Sequence, residues 1–248
     1  MTVTGWRNLK PFFPSRRSSG ELKNDIAVTD ADFPISRSYI DMLSETGVIP
    51  VVQSKWFATV VVESPDSTVA EQLQQLAIVD SVKWIWKGNL RVPAEEKGED
   101  RFVPEDEPLC NEYGYAHKQI KMLNGTKLHE AGFQGEGMRV AVIDAGFMNA
   151  DRISAFDSLR LLGTHNVVFP GKSVFVGDDH GTKVLSCLAA DIPGVMVGTA
   201  PKASYLLLKS EDSDSEYPVE EDYWTAAVEY ADSAGVDVIS SSLGYFVF

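Results

Sequence analysis

The second half of the chain alternates short apolar runs with helical segments, and this alternation restricts the fold more than any other feature. Residues 139–143 form a β-branched run that ends at Asp144, and residues 167–169, 173–176, 203–209 and 235–242 read as further strands. Residues 117–129, 180–190 and 222–234 carry helical patterns, the second broken by Asp191-Ile-Pro-Gly194. Apolar runs without polar alternation belong to strands covered on both faces, and strands separated by helices pair in parallel. Residues 114–248 therefore predict an α/β, doubly wound parallel sheet. The alternation stops at Phe248, directly after a strand-like run. A covering layer is missing there, so the segment reads as the truncated N-terminal part of a larger domain.

The first half follows a different pattern. Ser36 or Ser38 can cap a helix with Tyr39, Ile40 and Leu43 on one face and Gly47 as its stop. Residues 48–52 and 56–62 read as strands, and Thr68 opens a helix with Val69, Leu73 and Leu76 on one side. Residues 79–86 alternate, with Val82, Trp84 and Trp86 pointing one way. Residues 26–90 thus predict a small α+β module that carries no catalytic constellation, a binding or folding module. Residues 1–25 are basic and rich in turn formers and read as an irregular arm. Residues 91–113 hold Pro93, Gly98, Pro104 and Pro108 among acids and read as an exposed linker.

Charge narrows the partners. The chain has 22 basic and 36 acidic residues, a formal net charge of −14. Residues 95–113 hold eight acids and two bases, and residues 211–222 hold seven acids and no base. A phosphate-binding surface needs clustered Lys and Arg, so nucleic acid is not an expected partner. No apolar stretch approaches the roughly 20 residues that span a bilayer. The basic start is not followed by an apolar run, so no signal peptide is visible. Cys110 and Cys187 make neither a disulfide framework nor a metal spacing, and Cys187, in an apolar run, reads as a small core residue.

Chemistry concentrates at two positions. Asp144 stands at the carboxyl end of Val140-Ala-Val-Ile-Asp144-Ala-Gly146, where open α/β sheets bind ligands, although a carboxylate there also serves as a helix cap or in phosphotransfer. His180 stands in Gly177-Asp-Asp-His-Gly-Thr182, where a histidine opening a helix leaves its imidazole at the mouth of a cleft. Asp178, Asp179 and His180 offer metal ligands with no further cluster to complete a site. A phosphotransfer reading through Asp144 lacks its phosphate loop, because Gly135 and Gly137 precede the strand.

These motifs together resemble the subtilisin-like serine peptidases of the S8 family. The segment around Asp144 is similar to the family's aspartate motif, and Asp179-His180-Gly-Thr-Lys-Val184 to its histidine motif. Thr199-Ala-Pro-Lys-Ala-Ser-Tyr205 is similar to the turn that follows, and Val236-Asp-Val-Ile-Ser-Ser-Ser-Leu-Gly244 to the strand lining the substrate cleft. Residues 26–90 more loosely resemble the N-terminal prodomain of Bacteroidetes-type members. Asp…His…Ser is the chain order of subtilisin itself. The resemblance implies a serine-type endopeptidase acting on polypeptides, with Asp144 and His180 catalytic and Ser242, Leu243 and Gly244 pairing with an extended substrate. It also implies an intramolecular prodomain contact and an extracellular or cell-envelope location. No cofactor follows from it, and calcium finds no assignable ligand set. Lys183 stands where the family usually has a second histidine. Ser240, Ser241 and Ser242 lie in the cleft strand, and no serine has the nucleophile's Gly-Thr-Ser context, so the fragment is expected to be inactive. The alternative is a non-catalytic binding or inhibitor module derived from such a peptidase.

Overall fold

The computed structural model describes residues 1–4, 27, 29–85, 111–214 and 217–244. The first elements are β1 (Thr2–Thr4), α1 (Arg37–Ser44), β2 (Ile49–Ser54), β3 (Thr59–Glu63), α2 (Val69–Gln74) and β4 (Ser81–Lys83). Then come α3 (His117–Met122), α4 (Gly125–Glu130), β5 (Arg139–Asp144), β6 (Arg160–Asn166) and α5 (His180–Ala189). The last are β7 (Asp191–Ile192), β8 (Met196–Val197), β9 (Ser204–Lys209), α6 (Val219–Ser233) and β10 (Val238–Ser241). They fall into two compact units, residues 1–91 with 214–235, and residues 92–213 with 236–247.

The first unit is built on an antiparallel sheet of order β2-β3-β1-β4. Val60 and Val62 of β3 pack with Leu43 of α1, Val69 and Leu73 of α2, and Met1. Ser36 precedes α1, and Gly47, at φ +87°, takes the left-handed conformation that ends it. The start of the chain differs from the expected irregular arm. Thr2–Thr4 is an inner strand, with Val3 opposite Val60 on one side and Val82 on the other. Three residues are too few to show a period, so this β-branched triplet carries no signal until its partners are in place. Residues 5–25 of the arm, Trp86, Cys110 and nearly all of the linker lie outside the described residues.

Helix α6 forms where its pattern predicts, but it belongs to the first unit and not with the sheet of residues 114–213. One buried carboxylate accounts for much of that. Glu229 accepts hydrogen bonds from Ser54 Oγ at 2.6 Å, Lys55 N at 2.9 Å and Trp56 N at 3.1 Å. Lys55 Nζ adds a bond to Ser233 Oγ at 3.1 Å. Three donors on one charged acceptor fasten the β2–β3 turn to the helix. Glu229→Ala strands two backbone N–H groups and is expected to cost about 2–3 kcal/mol. Amide exchange at Lys55 and Trp56 should accelerate selectively; unchanged protection there would refute the latch.

The second unit is an all-parallel sheet of order β10-β5-β9-β6. Strands β5 and β9 are buried along nearly their whole length, as uninterrupted apolar runs require. Val140 and Val142 of β5 and Tyr205 and Leu207 of β9 pack in one cluster with Leu185 and Ala189 of α5. Three local expectations change. Residues 167–169 and 173–176 are not strands; Val167, Val168 and Val174 are buried from irregular segments, and the strand is β6, a more polar edge run whose Leu161 and Leu162 are exposed. The helix expected over 117–129 is two short helices, because Asn124 is left-handed at φ +57°. Cys187 is exposed on α5 and not in the core, since the apolar run around it turns its other residues inward. Among the described residues, no helix is long and apolar enough to cross a membrane.

Candidate active site

Asp144 is the last residue of β5, an inner strand, and His180 is the first residue of α5. Two glycines let them meet. A Cβ on Gly181 would stand 2.4 Å from the Gly146 carbonyl oxygen and 2.9 Å from Asp144 Cβ. A Cβ on Gly146 would stand 2.8 Å from the Asp178 carbonyl oxygen. The backbone of the helix start therefore lies directly on the strand end, a spacing that side chains at either position would prevent. Asp178 Oδ1 accepts from His180 N at 2.7 Å, and Met148 N donates to the Asp178 carbonyl at 2.9 Å, which ties the loop before the helix to the segment after β5.

The two side chains are joined by a hydrogen bond of 2.7 Å between His180 Nδ1 and Asp144 Oδ1. The same Oδ1 accepts from Ala145 N at 2.8 Å. Asp144 is wholly buried, whereas the His180 side chain is 53% exposed. Burial raises the Asp144 carboxyl above its ordinary value, against the bonds from His180 and Ala145. The bond to Asp144 raises His180 above 6.5, against burial, with the charges of Asp144, Asp178 and Glu211 adding to the rise. With Nδ1 engaged, Nε2 is the ring nitrogen left for a second partner. An imidazole held on one nitrogen by a buried carboxylate and open on the other can take up and return a proton.

Sequence comparison shows what the chain is similar to. Residues 14–100 match the model of the peptidase S8 propeptide domain of Bacteroidota. Over 150 residues, 58% of its length, the chain is 32% identical to Subtilisin E of Bacillus subtilis and spans 36% of that relative. The chain is similar to the subtilisin-like peptidases of the S8 family. Two solved structures share its fold. The epidermin leader peptide processing serine protease of Staphylococcus aureus aligns with a TM-score of 0.53 at 14% identity, covering 84% of this chain and 48% of that one. Fervidolysin of Fervidobacterium pennivorans aligns at 0.52 and 18%, covering 82% and 34%.

Other residues singled out in the sequence fall around the pair unevenly. Strand β10 runs parallel to β5 with Ser241 opposite Ile143, so Ser242, Leu243 and Gly244 leave the sheet at the edge where Asp144 stands. Ser242 and Gly244 are exposed, and open space surrounds Gly244. Lys183 lies one turn along α5 and pairs with Asp179 at 2.6 Å, away from the Asp144–His180 bond. No group of three or more His, Cys, Asp or Glu fit to hold a metal occurs among the described residues. Sequence reasoning passed over Lys209, a buried lysine ending β9 as the register partner of Asp144. Its signal was present: a lysine closing an apolar run that pairs with the strand of the aspartate.

Proposed function

We propose that this subtilisin-like chain supplies the prodomain and the aspartate–histidine part of a serine endopeptidase. Residues 26–90 act as the prodomain, 91–113 as the linker and 114–248 as the N-terminal part of the catalytic domain. The observation that carries the reading is the 2.7 Å bond between a wholly buried Asp144 and a half-exposed His180. Asp144 holds the proton of His180 on Nδ1, so Nε2 is free to accept the proton of a serine hydroxyl as that oxygen attacks a peptide carbonyl. The imidazolium so formed is stabilised by the carboxylate and returns its proton to the leaving amine. Ser242, Leu243 and Gly244 offer backbone groups to an extended polypeptide, as strand addition does. An extracellular or cell-envelope location accompanies this role.

No serine within residues 1–248 stands in a Gly-Thr-Ser context. The 248-residue polypeptide by itself is therefore expected to leave casein intact. In the protein at the length its gene encodes, where that length includes a serine in a Gly-Thr-Ser context, casein hydrolysis should be present and should vanish with His180→Ala. Hydrolysis undiminished by His180→Ala would overturn the assignment. Hydrolysis by the 248-residue polypeptide that His180→Ala abolishes would mean a nucleophile within it, with Ser240, Ser241 and Ser242 the first to test.

A further inference from the structure

We infer that Lys209 is a positioning residue for the Asp144–His180 couple: its buried ammonium grips the Ala145 carbonyl and sets a positive charge behind Asp144 that opposes the charging of His180. The inference rests on the reading of that couple as the catalytic pair. Register comes first. Lys209 is the partner of Asp144 across the parallel β5–β9 ladder, so both side chains leave the same face of the sheet. Two and four residues earlier, the partners Val142 and Leu207, then Val140 and Tyr205, lie on that face in the core with Leu185 of α5. The lysine therefore ends a row of core residues on the side that α5 covers, and it is only 5% exposed.

A lysine in such a place needs a reason. A methionine would bury a similar stem without desolvating a charge, so the ammonium is retained for what it bonds and for the field it makes. Its Nζ donates to the carbonyl oxygen of Ala145. The N–H of the same Ala145 donates to Asp144 Oδ1, and Ser210 N donates to the Asp144 carbonyl at 3.1 Å. The residue that follows the aspartate is thus held by the end of β9 through its carbonyl and holds the carboxylate through its N–H. The groups acting on Lys209 agree with a retained charge. Burial lowers its basicity, while Asp212, Asp178, Glu211 and Asp144 all oppose that lowering. Asp178, Glu211 and Asp144 also favour the imidazolium of His180, so the same three carboxylates act on both groups. Without Lys209, an already basic His180 would hold its proton to higher pH and be a poorer proton acceptor near neutrality.

The test is a proton NMR titration of the four histidines in the 248-residue chain, with His180→Asn assigning one resonance. Lys209→Gln keeps a donor for the Ala145 carbonyl and removes the charge, so the His180 midpoint should rise by roughly half a pH unit or more. Lys209→Arg restores the charge and should return the midpoint toward wild type. A midpoint unchanged or lowered in a folded Lys209→Gln overturns the inference, because a lysine that only packs would not move it upward. If the glutamine variant does not fold, Lys209→Met is read by the same criterion. Asp144→Asn separates the two readings. Its failure to lower the His180 midpoint sinks the couple itself, whereas a lowering there with no rise in Lys209→Gln sinks the role of Lys209 alone.

Discussion

Gly181→Ala is expected to separate His180 from Asp144 and to destabilise the second unit. The added Cβ would lie 2.4 Å from the Gly146 carbonyl and 2.9 Å from Phe147 Cε1. Neither can yield cheaply, since the first is backbone and Phe147 is completely buried. The start of α5 must therefore move outward, carrying the imidazole with it. Overpacking of this kind costs about 1–3 kcal/mol. In the gene-length protein, a displacement near 1 Å is expected to lower the hydrolysis rate on the order of 100-fold. Gly163→Ala is the control, because its Cβ would meet only Leu206 Cδ1 at an ordinary 3.7 Å. Thermal unfolding and rate measurements should set the two variants apart; equal behaviour would remove the steric explanation for the helix–strand contact.

Asp144→Asn is expected to have the larger effect on rate, on the order of 10⁴-fold in the gene-length protein, with little change in structure. The amide fills the same space but no longer enforces a proton on Nδ1, so Nε2 is often protonated when it must accept. The pH behaviour follows from the same bond. The Asp144 bond is the main cause that raises His180 above 6.5. The stability this contributes is fully present below 6.5 and is lost as pH rises through the elevated folded value. The half-exposed ring keeps that contribution small. The neutral base appears over the same window, so the acid limb of the rate profile should lie above 6.5 in the wild-type protein and shift to lower pH in Asp144→Asn. A limb that does not shift would detach the aspartate from the chemistry.

Much of the site was legible before any coordinates because strand ends and helix starts are marked chemically. An apolar run closed by Asp144 and a helix opened by His180 place two titratable groups at sheet-edge positions whatever the details of packing. The contact between them was less legible. It depends on Gly146 and Gly181, whose missing side chains acquire meaning only when two backbones approach. The fold was clearest where burial is uniform, along β5 and β9. It was least clear in β6, where an edge strand carries polar residues while nearby valines pack from irregular segments. Thr2–Thr4 and the assignment of α6 were hidden for a related reason. Both are fixed by distant partners, Val60 and Val82 in one case and the Ser54–Trp56 turn on Glu229 in the other.

The most direct measurement is the titration midpoint of His180 in the 248-residue chain, compared with Asp144→Asn. A wild-type midpoint clearly above 6.5 that falls toward it when the carboxylate becomes an amide is the expected result. A wild-type midpoint at or below 6.5, identical in the two proteins, would contradict the coupled aspartate–histidine pair on which the proposed peptidase chemistry depends.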